Sequence, residues 1–274
     1  QNTPTSAVYH VKLPTASSTS DTEFYCYYGK SDASDGADGE NVWDGNYAMV
    51  HHMGSSLLDS TSNDNDGTNT GTVLGTARDG YNRTLAGNHT QYITVADDAT
   101  LRVQATTVEA YIKPSAISKW SHILDKGHDL DQNYGFRFTV TDANYLRFRY
   151  RDTGNTLRAV VSEATIANNT LQHVAGTFDA TNLKAYIDGA LSKSENLPYT
   201  VKHNYAPMYV GFPLNTRSAQ ALQGSVYEVR ISSSARSDAW IKATHNSLAD
   251  TLLTYGSEEE LTLTARPRVM VVWA

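Results

Sequence analysis

Hydrophobic and polar positions alternate with a period of two along most of the chain, which is the pattern of strands with one buried face. Val108, Ala110 and Ile112 share a face, with Glu109 and Tyr111 between them. Phe136, Phe138 and Val140 face opposite to Arg137 and Thr139, and Leu146, Phe148 and Tyr150 opposite to Arg147, Arg149 and Arg151. Val174, Gly176 and Phe178 form a further set, followed across a turn by Leu183, Ala185 and Ile187. At 223–231 the alternation sets Val226, Glu228 and Arg230 against Tyr227, Val229 and Ile231. A helical signature occurs at one place, where Ser237 can cap a turn carrying Trp240, Ile241 and Thr244. Short strands at regular intervals predict an all-β, two-sheet antiparallel sandwich with one short helix.

Around this body, residues 30–45 are small, acidic and glycine-bearing, a surface connection, and a soft boundary falls there. Ahead of it, Ala7–Leu13 and Thr22–Tyr28 read as strands of a small β extension over 1–45. Cys26 lies in the second run and reads as a buried, inert thiol. Behind the body, 257–274 carries Val269, Val271 and Trp273 in a segment apolar on both faces, which must be buried by self-closure or by strand addition to a neighbour.

The motifs become specific between 171 and 241. Leu171-Gln-His-Val-Ala-Gly-Thr-Phe-Asp179 followed by Leu183-Lys-Ala-Tyr-Ile-Asp-Gly189 resembles the hairpin of LamG-like jelly rolls, with Leu171-Gln172 where the family usually carries a tryptophan. Tyr209-Val-Gly-Phe212, Leu222–Ile231 and Ala235–Ile241 resemble the closing strands and terminal helix of that family, and Asp59–Thr68 a loop after its first strand. The resemblance covers about residues 46–256 and implies a concanavalin A-like jelly roll. Tyr27-Tyr28-Gly29 and Val42-Trp43-Asp44 resemble the tail of an uncharacterised β domain often found before LamG domains in microbial and phage surface proteins.

Composition narrows the function. A net charge of −7 is the wrong sign for a general nucleic-acid binder, and no apolar run is long enough to span a membrane. The chain opens at Gln1 with no charged-then-apolar leader, as expected of a processed secreted protein or a fragment. Glycoside hydrolysis needs two carboxylates at one cleft. Glu109 and Glu228 stand singly in their strands, and Glu258–Glu260 are consecutive, so no hydrolase pattern is present. His51 and His52 are adjacent and face opposite sides, so together they do not grip one metal.

Two constellations remain. The resemblance implies Ca²⁺ at one rim of the sandwich, for which Asp125, Asp129, Asp131 and Asn133 offer oxygen ligands in one short stretch. Arg147, Arg149 and Arg151, with Arg137 on the neighbouring strand, form a basic row suited to carboxylate, sulfate or phosphate groups, or to cross-strand pairing with acids. The expectation is a non-catalytic adhesion module that binds surface glycans on a cell or virion surface. The alternative is a structural subunit of an extracellular filament, fibre or capsid decoration, assembled with its own copies through its terminal strands.

Overall fold

The computed structural model describes residues 9–15, 17, 19–28, 30, 32–77, 80–117, 120–128, 133–212 and 220–257. In chain order its elements begin with α1 (Gly39–Val42), β1 (Tyr47–His51), β2 (Gly67–Thr70), β3 (Val73–Ala77), β4 (Gly80–Ala86) and β5 (Tyr92–Val95). After a 3₁₀ turn come β6 (Thr106–Ala116), β7 (Ser121–His128), β8 (Asn133–Val140), β9 (Tyr145–Arg151) and β10 (Leu157–Thr165). The chain continues with β11 (Gln172–Phe178), β12 (Asn182–Ile187), β13 (Ala190–Asn196), β14 (Met208–Val210), β15 (Gln223–Ser232) and α2 (Asp238–Leu248).

These strands make two antiparallel sheets. One has eight strands in the order β13-β12-β11-β6-β15-β4-β3, with β1 also paired to β15. The other has seven, in the order β10-β9-β8-β7-β14-β5-β2. The sheets face each other across one hydrophobic core built from the alternating sets: Val108, Ala110 and Ile112 on β6, Phe136 and Phe138 on β8, Phe148 and Tyr150 on β9, and Val174 and Phe178 on β11. The Tyr150 and Phe178 rings meet across the interlayer space at 5.6 Å between centroids. Between Val174 and Phe178, a Cβ on Gly176 would lie only 2.4 Å from Phe148 Cδ1. The sheets approach so closely there that the hairpin position admits no side chain.

Ser237 caps α2 as expected, its Oγ accepting from Trp240 N at 3.2 Å. The helix packs Ile241 against Ala175 and Tyr186 on the outer face of the eight-stranded sheet.

Three expectations differ from the structure. In β15 the register shifts between Val226 and Glu228, opposite Ile112 and Tyr111. Val226 therefore joins Val229 and Ile231 in the core, while Glu228 and Arg230 take the outer face. One extra residue reverses the phase of a period-two strand, and alternation alone does not reveal it. The described residues of the two N-terminal runs form no strand. Tyr9, Phe24, Tyr25, Tyr27 and Tyr28 are exposed, because no partner strand covers them. Cys26 is exposed with them. Residues 258–274, including Val269, Val271 and Trp273, lie outside the described residues.

Candidate functional site

The alternation that buries one face of each strand places a polar row on the other. On the seven-stranded sheet this row crosses three strands. Asp125 on β7 pairs in register with Arg137 on β8, which pairs with Arg149 on β9. Arg137 Nε donates to Asp125 Oδ1 at 2.8 Å, and Asp125 Oδ2 lies 3.3 Å from His122 Nδ1. All three side chains are buried, with Asp125 at 0% and Arg137 at 1% relative exposure. Burial pushes the His122 imidazole below its usual value; Asp125 works in the opposite direction and does not prevail.

Arg137 therefore does not serve as a surface contact. It faces outward, as alternation requires, but its charge is committed to Asp125 and covered. Arg147, Arg149 and Arg151 on β9 are half-buried and line the same face. The Arg147 guanidinium lies 5.1 Å from the Trp120 ring centroid, in cation–π range. Arg151 donates to the Asn155 carbonyl at 2.7 Å, and Arg158 is engaged by Asp152 at 2.8 Å.

Asp125 also departs from the calcium expectation. It sits inside a strand and not in a rim loop, under a guanidinium whose positive charge opposes a cation. Asp129 and Asp131 lie outside the described residues, as does the Asn133 side chain; the Asn133 backbone opens β8.

At the rim, Asp97 collects Arg102 and Lys126. The Lys126 ammonium also donates to the Ala206 carbonyl at 2.5 Å. Burial would raise the Asp97 carboxyl, but these two donors hold it below the usual carboxylate range. Arg102 stacks 4.3 Å from the ring of Tyr205, which is 75% exposed. The adjoining cleft, lined in part by Lys126, Phe136, Tyr150, His203 and Asn204, holds about 200 Å³ including solvent at its mouth. The rim offers an aromatic platform with polar neighbours and no enclosed pocket.

The outer face of the eight-stranded sheet carries a longer polar network. His173 Nε2 lies 3.1 Å from Glu109 Oε2. Glu109 is in register with Arg230, whose Nε donates to Glu228 Oε1 at 2.9 Å. Glu228 in turn holds His52 Nδ1 at 2.9 Å from Oε2. His10, from the N-terminal segment, stacks on His52 at 4.5 Å between centroids and lies tilted against Trp43 at 5.2 Å. Burial pushes the His10 imidazole down to about 4, with Glu228 opposing. Burial would raise the Glu228 carboxyl, but Arg230 and His52 outweigh it and hold it down to about 2. Glu109 and Glu228, single residues in the sequence, are thus neighbours around one arginine, and both are buried. His51 turns the opposite way, into the interior, where Nε2 meets the Asn65 carbonyl at 2.8 Å.

An all-antiparallel two-sheet sandwich with polar networks on its outer faces defines a lectin-like architecture. The chain belongs to the concanavalin A-like lectin/glucanases superfamily, whose family model matches residues 86–242. Among solved structures it is similar to the binding domain of Paraclostridial mosquitocidal protein 1 (16% identity, TM-score 0.64, covering 74% of this chain and 52% of that one). It is similar to a botulinum neurotoxin type C structure whose subject is cell entry dependent on two ganglioside molecules (13% identity, TM-score 0.61, covering 74% and 51%). It is also similar to domain 4 of AbnA, an extracellular GH43 arabinanase of Geobacillus stearothermophilus, in complex with arabinotriose (16% identity, TM-score 0.57, covering 72% and 96%). The chain spans about half the length of the two toxin structures. At these identities the likeness is one of fold. No curated protein sequence matches the chain. No helix among the described residues is long and apolar enough to cross a membrane.

Proposed function

We propose that the chain is a non-catalytic, extracellular carbohydrate-binding module that takes an acidic glycan across the outer face of β9. The observation that carries this reading is the placement of Arg147, Arg149 and Arg151, half-buried, at every second position of one strand in a chain of net charge −7. Side chains two apart along a strand stand ~7 Å from one another, so their guanidinium groups can meet successive anionic groups of an extended ligand. Guanidinium forks match carboxylate and sulfate geometry. Buried Asp125 and Arg137 form a rigid, charge-balanced floor beside them.

Two further points support the reading. The fold neighbours are named as binding domains or as a domain holding an oligosaccharide. Glu109 and Glu228 are buried around Arg230 and not presented at an open cleft, which is a poor arrangement for two hydrolytic carboxylates.

The test is a glycan array carrying sulfated, sialylated and uronate glycans beside neutral ones, followed by titration of the strongest hit. Arg147→Ala with Arg149→Ala is expected to weaken that hit by about ten- to a hundredfold per arginine, given the strength of charge-assisted hydrogen bonds. Absence of acidic hits, or an acidic hit indifferent to the double substitution, rejects the β9 site.

A further inference from the structure

The far end of the eight-stranded sheet's network gathers a donor set with no role in the proposed glycan site. One ligand atom each from His10, His52 and Glu228 lies within 4.8 Å of the others. His52 and Glu228 are already 2.9 Å apart. In a tetrahedral site with bonds near 2.0–2.1 Å, ligand atoms stand ~3.3 Å from one another. The His52–Glu228 separation thus needs to open by only a few tenths of an ångström. His10 must close in by at most about 1.5 Å, the difference between 4.8 Å and that spacing. The described residues around His10 pair with no sheet, so among the three ligands it is the one the strands hold least.

We infer that His10, His52 and Glu228 form a zinc-binding site that pins the N-terminal segment to the sandwich. The register shift in β15 is what turns Glu228 out of the core toward His52, and bulges commonly re-aim a side chain at a functional position. The donors are two imidazoles and one carboxylate, a set that suits zinc and its neighbours in the first transition row, whereas calcium and magnesium favour oxygen throughout. Arg230 Nε donates to Glu228 Oε1, while His52 Nδ1 faces both carboxylate oxygens, 3.0 Å from Oε1 and 2.9 Å from Oε2; the arginine is the kind of outer contact that orients a metal ligand. Trp43 walls the cluster, 5.2 Å from the His10 ring and 5.8 Å from that of His52. A cation between His52 Nδ1 and Glu228 would replace the proton they now share.

The charge balance sets the expected strength. Arg230 opposes the ion, and Glu109 in register beside Arg230 offsets part of that opposition. With three protein ligands, and the His52 side chain 35% exposed, the fourth position opens to solvent.

The experiment uses the full chain. Co²⁺ is titrated while visible absorbance is followed, then displaced with Zn²⁺; limited proteolysis of the N-terminal segment is compared with and without Zn²⁺. The expected result is one equivalent of Co²⁺ with a d–d band of a low-coordinate site, displaced by Zn²⁺, and a segment protected by the metal. His10→Ala and His52→Ala should each weaken binding at least tenfold and remove the protection, while His89→Ala leaves both unchanged. His10→Ala lies outside the sheets and keeps the test independent of folding. No saturable Co²⁺ signal, or His10→Ala and His52→Ala titrating like the parent chain, overturns the site.

Discussion

The close approach of the sheets at Gly176 yields a prediction whose size follows from geometry. In Gly176→Ala the new methyl would sit 2.4, 2.6 and 2.9 Å from Phe148 Cδ1, Cγ and Cε1. Carbon atoms in contact prefer ~3.5–4.0 Å, so about an ångström of overlap must be relieved. The ring has little room to yield. Phe148 is fully buried, with Phe138 and Tyr150 at 5.6 and 5.0 Å between centroids. Overpacking of this kind costs about 1–3 kcal/mol, and a clash with a locked ring belongs at the upper end. The lower backbone entropy of alanine in the unfolded chain returns ~0.5–1 kcal/mol. The net loss is about 2 kcal/mol, a sizeable share of the ~5–15 kcal/mol that stabilises a typical domain. Urea unfolding should show a lower midpoint with an unchanged slope. Phe148→Leu removes the obstructing ring, so the double variant should be more stable than the two losses summed, by at least ~1 kcal/mol. A Gly176→Ala protein as stable as its parent, or strictly additive losses, would refute the close packing of β11 on β9.

Two further outcomes test the buried polar row. Asp125→Ala removes the carboxylate that faces the buried Arg137 guanidinium, and should cost about 3–5 kcal/mol in urea unfolding, with Asp125→Leu/Arg137→Met recovering most of it; equal losses in both variants would count against a buried pair. Because burial depresses the folded His122 pKa below 6.5, both states are neutral above that value, and below it the unfolded chain takes up a proton that the folded chain refuses. Stability should therefore fall as pH drops from 7.5 to 5.5, by up to ~1.4 kcal/mol per unit from this group. His10, His51, His203 and His245 are depressed by burial too, so the comparison is with His122→Asn, whose slope should be shallower; equal slopes would refute a neutral buried His122.

Much of the fold is legible because period two is a local property. Phe136/Phe138, Leu146/Phe148/Tyr150 and Val174/Gly176/Phe178 each state their inward face without reference to distant residues, and the structure buries those faces. What alternation cannot state is whether the opposite face is covered. Arg137 points outward as its strand dictates and is nonetheless 1% exposed. It also cannot register an inserted residue, which is why it groups Val226 with Glu228 and Arg230 although the structure places Val226 in the core with Val229 and Ile231. The N-terminal runs fail for the converse reason: Tyr25, Tyr27 and Phe24 favour strands only where a partner exists to cover them. The His52–Glu228 contact spans 176 positions, and His10 joins it from a stretch whose described residues form no strand. A donor set assembled from such distances leaves no spacing to recognise.

The two outer faces therefore divide the chemistry between them. A sandwich core is apolar and interchangeable in outline, so specificity must come from what the outward alternation displays and from what then covers it. On the seven-stranded sheet the cover is partial: the buried Asp125–Arg137 pair gives way to half-buried arginines on β9. On the eight-stranded sheet, α2 covers one part through Ile241, and Trp43 with His10 covers the other. Since packed sheets stand ~10 Å apart and the two clusters project from opposite outer faces, no side chain is shared between them. Perturbations at such separation add independently. Zn²⁺ should then leave the affinity for an acidic glycan unchanged, and Arg149→Ala should leave Co²⁺ titration unchanged. Coupling between the two would mean that the N-terminal segment reaches beyond the face on which His10 now rests.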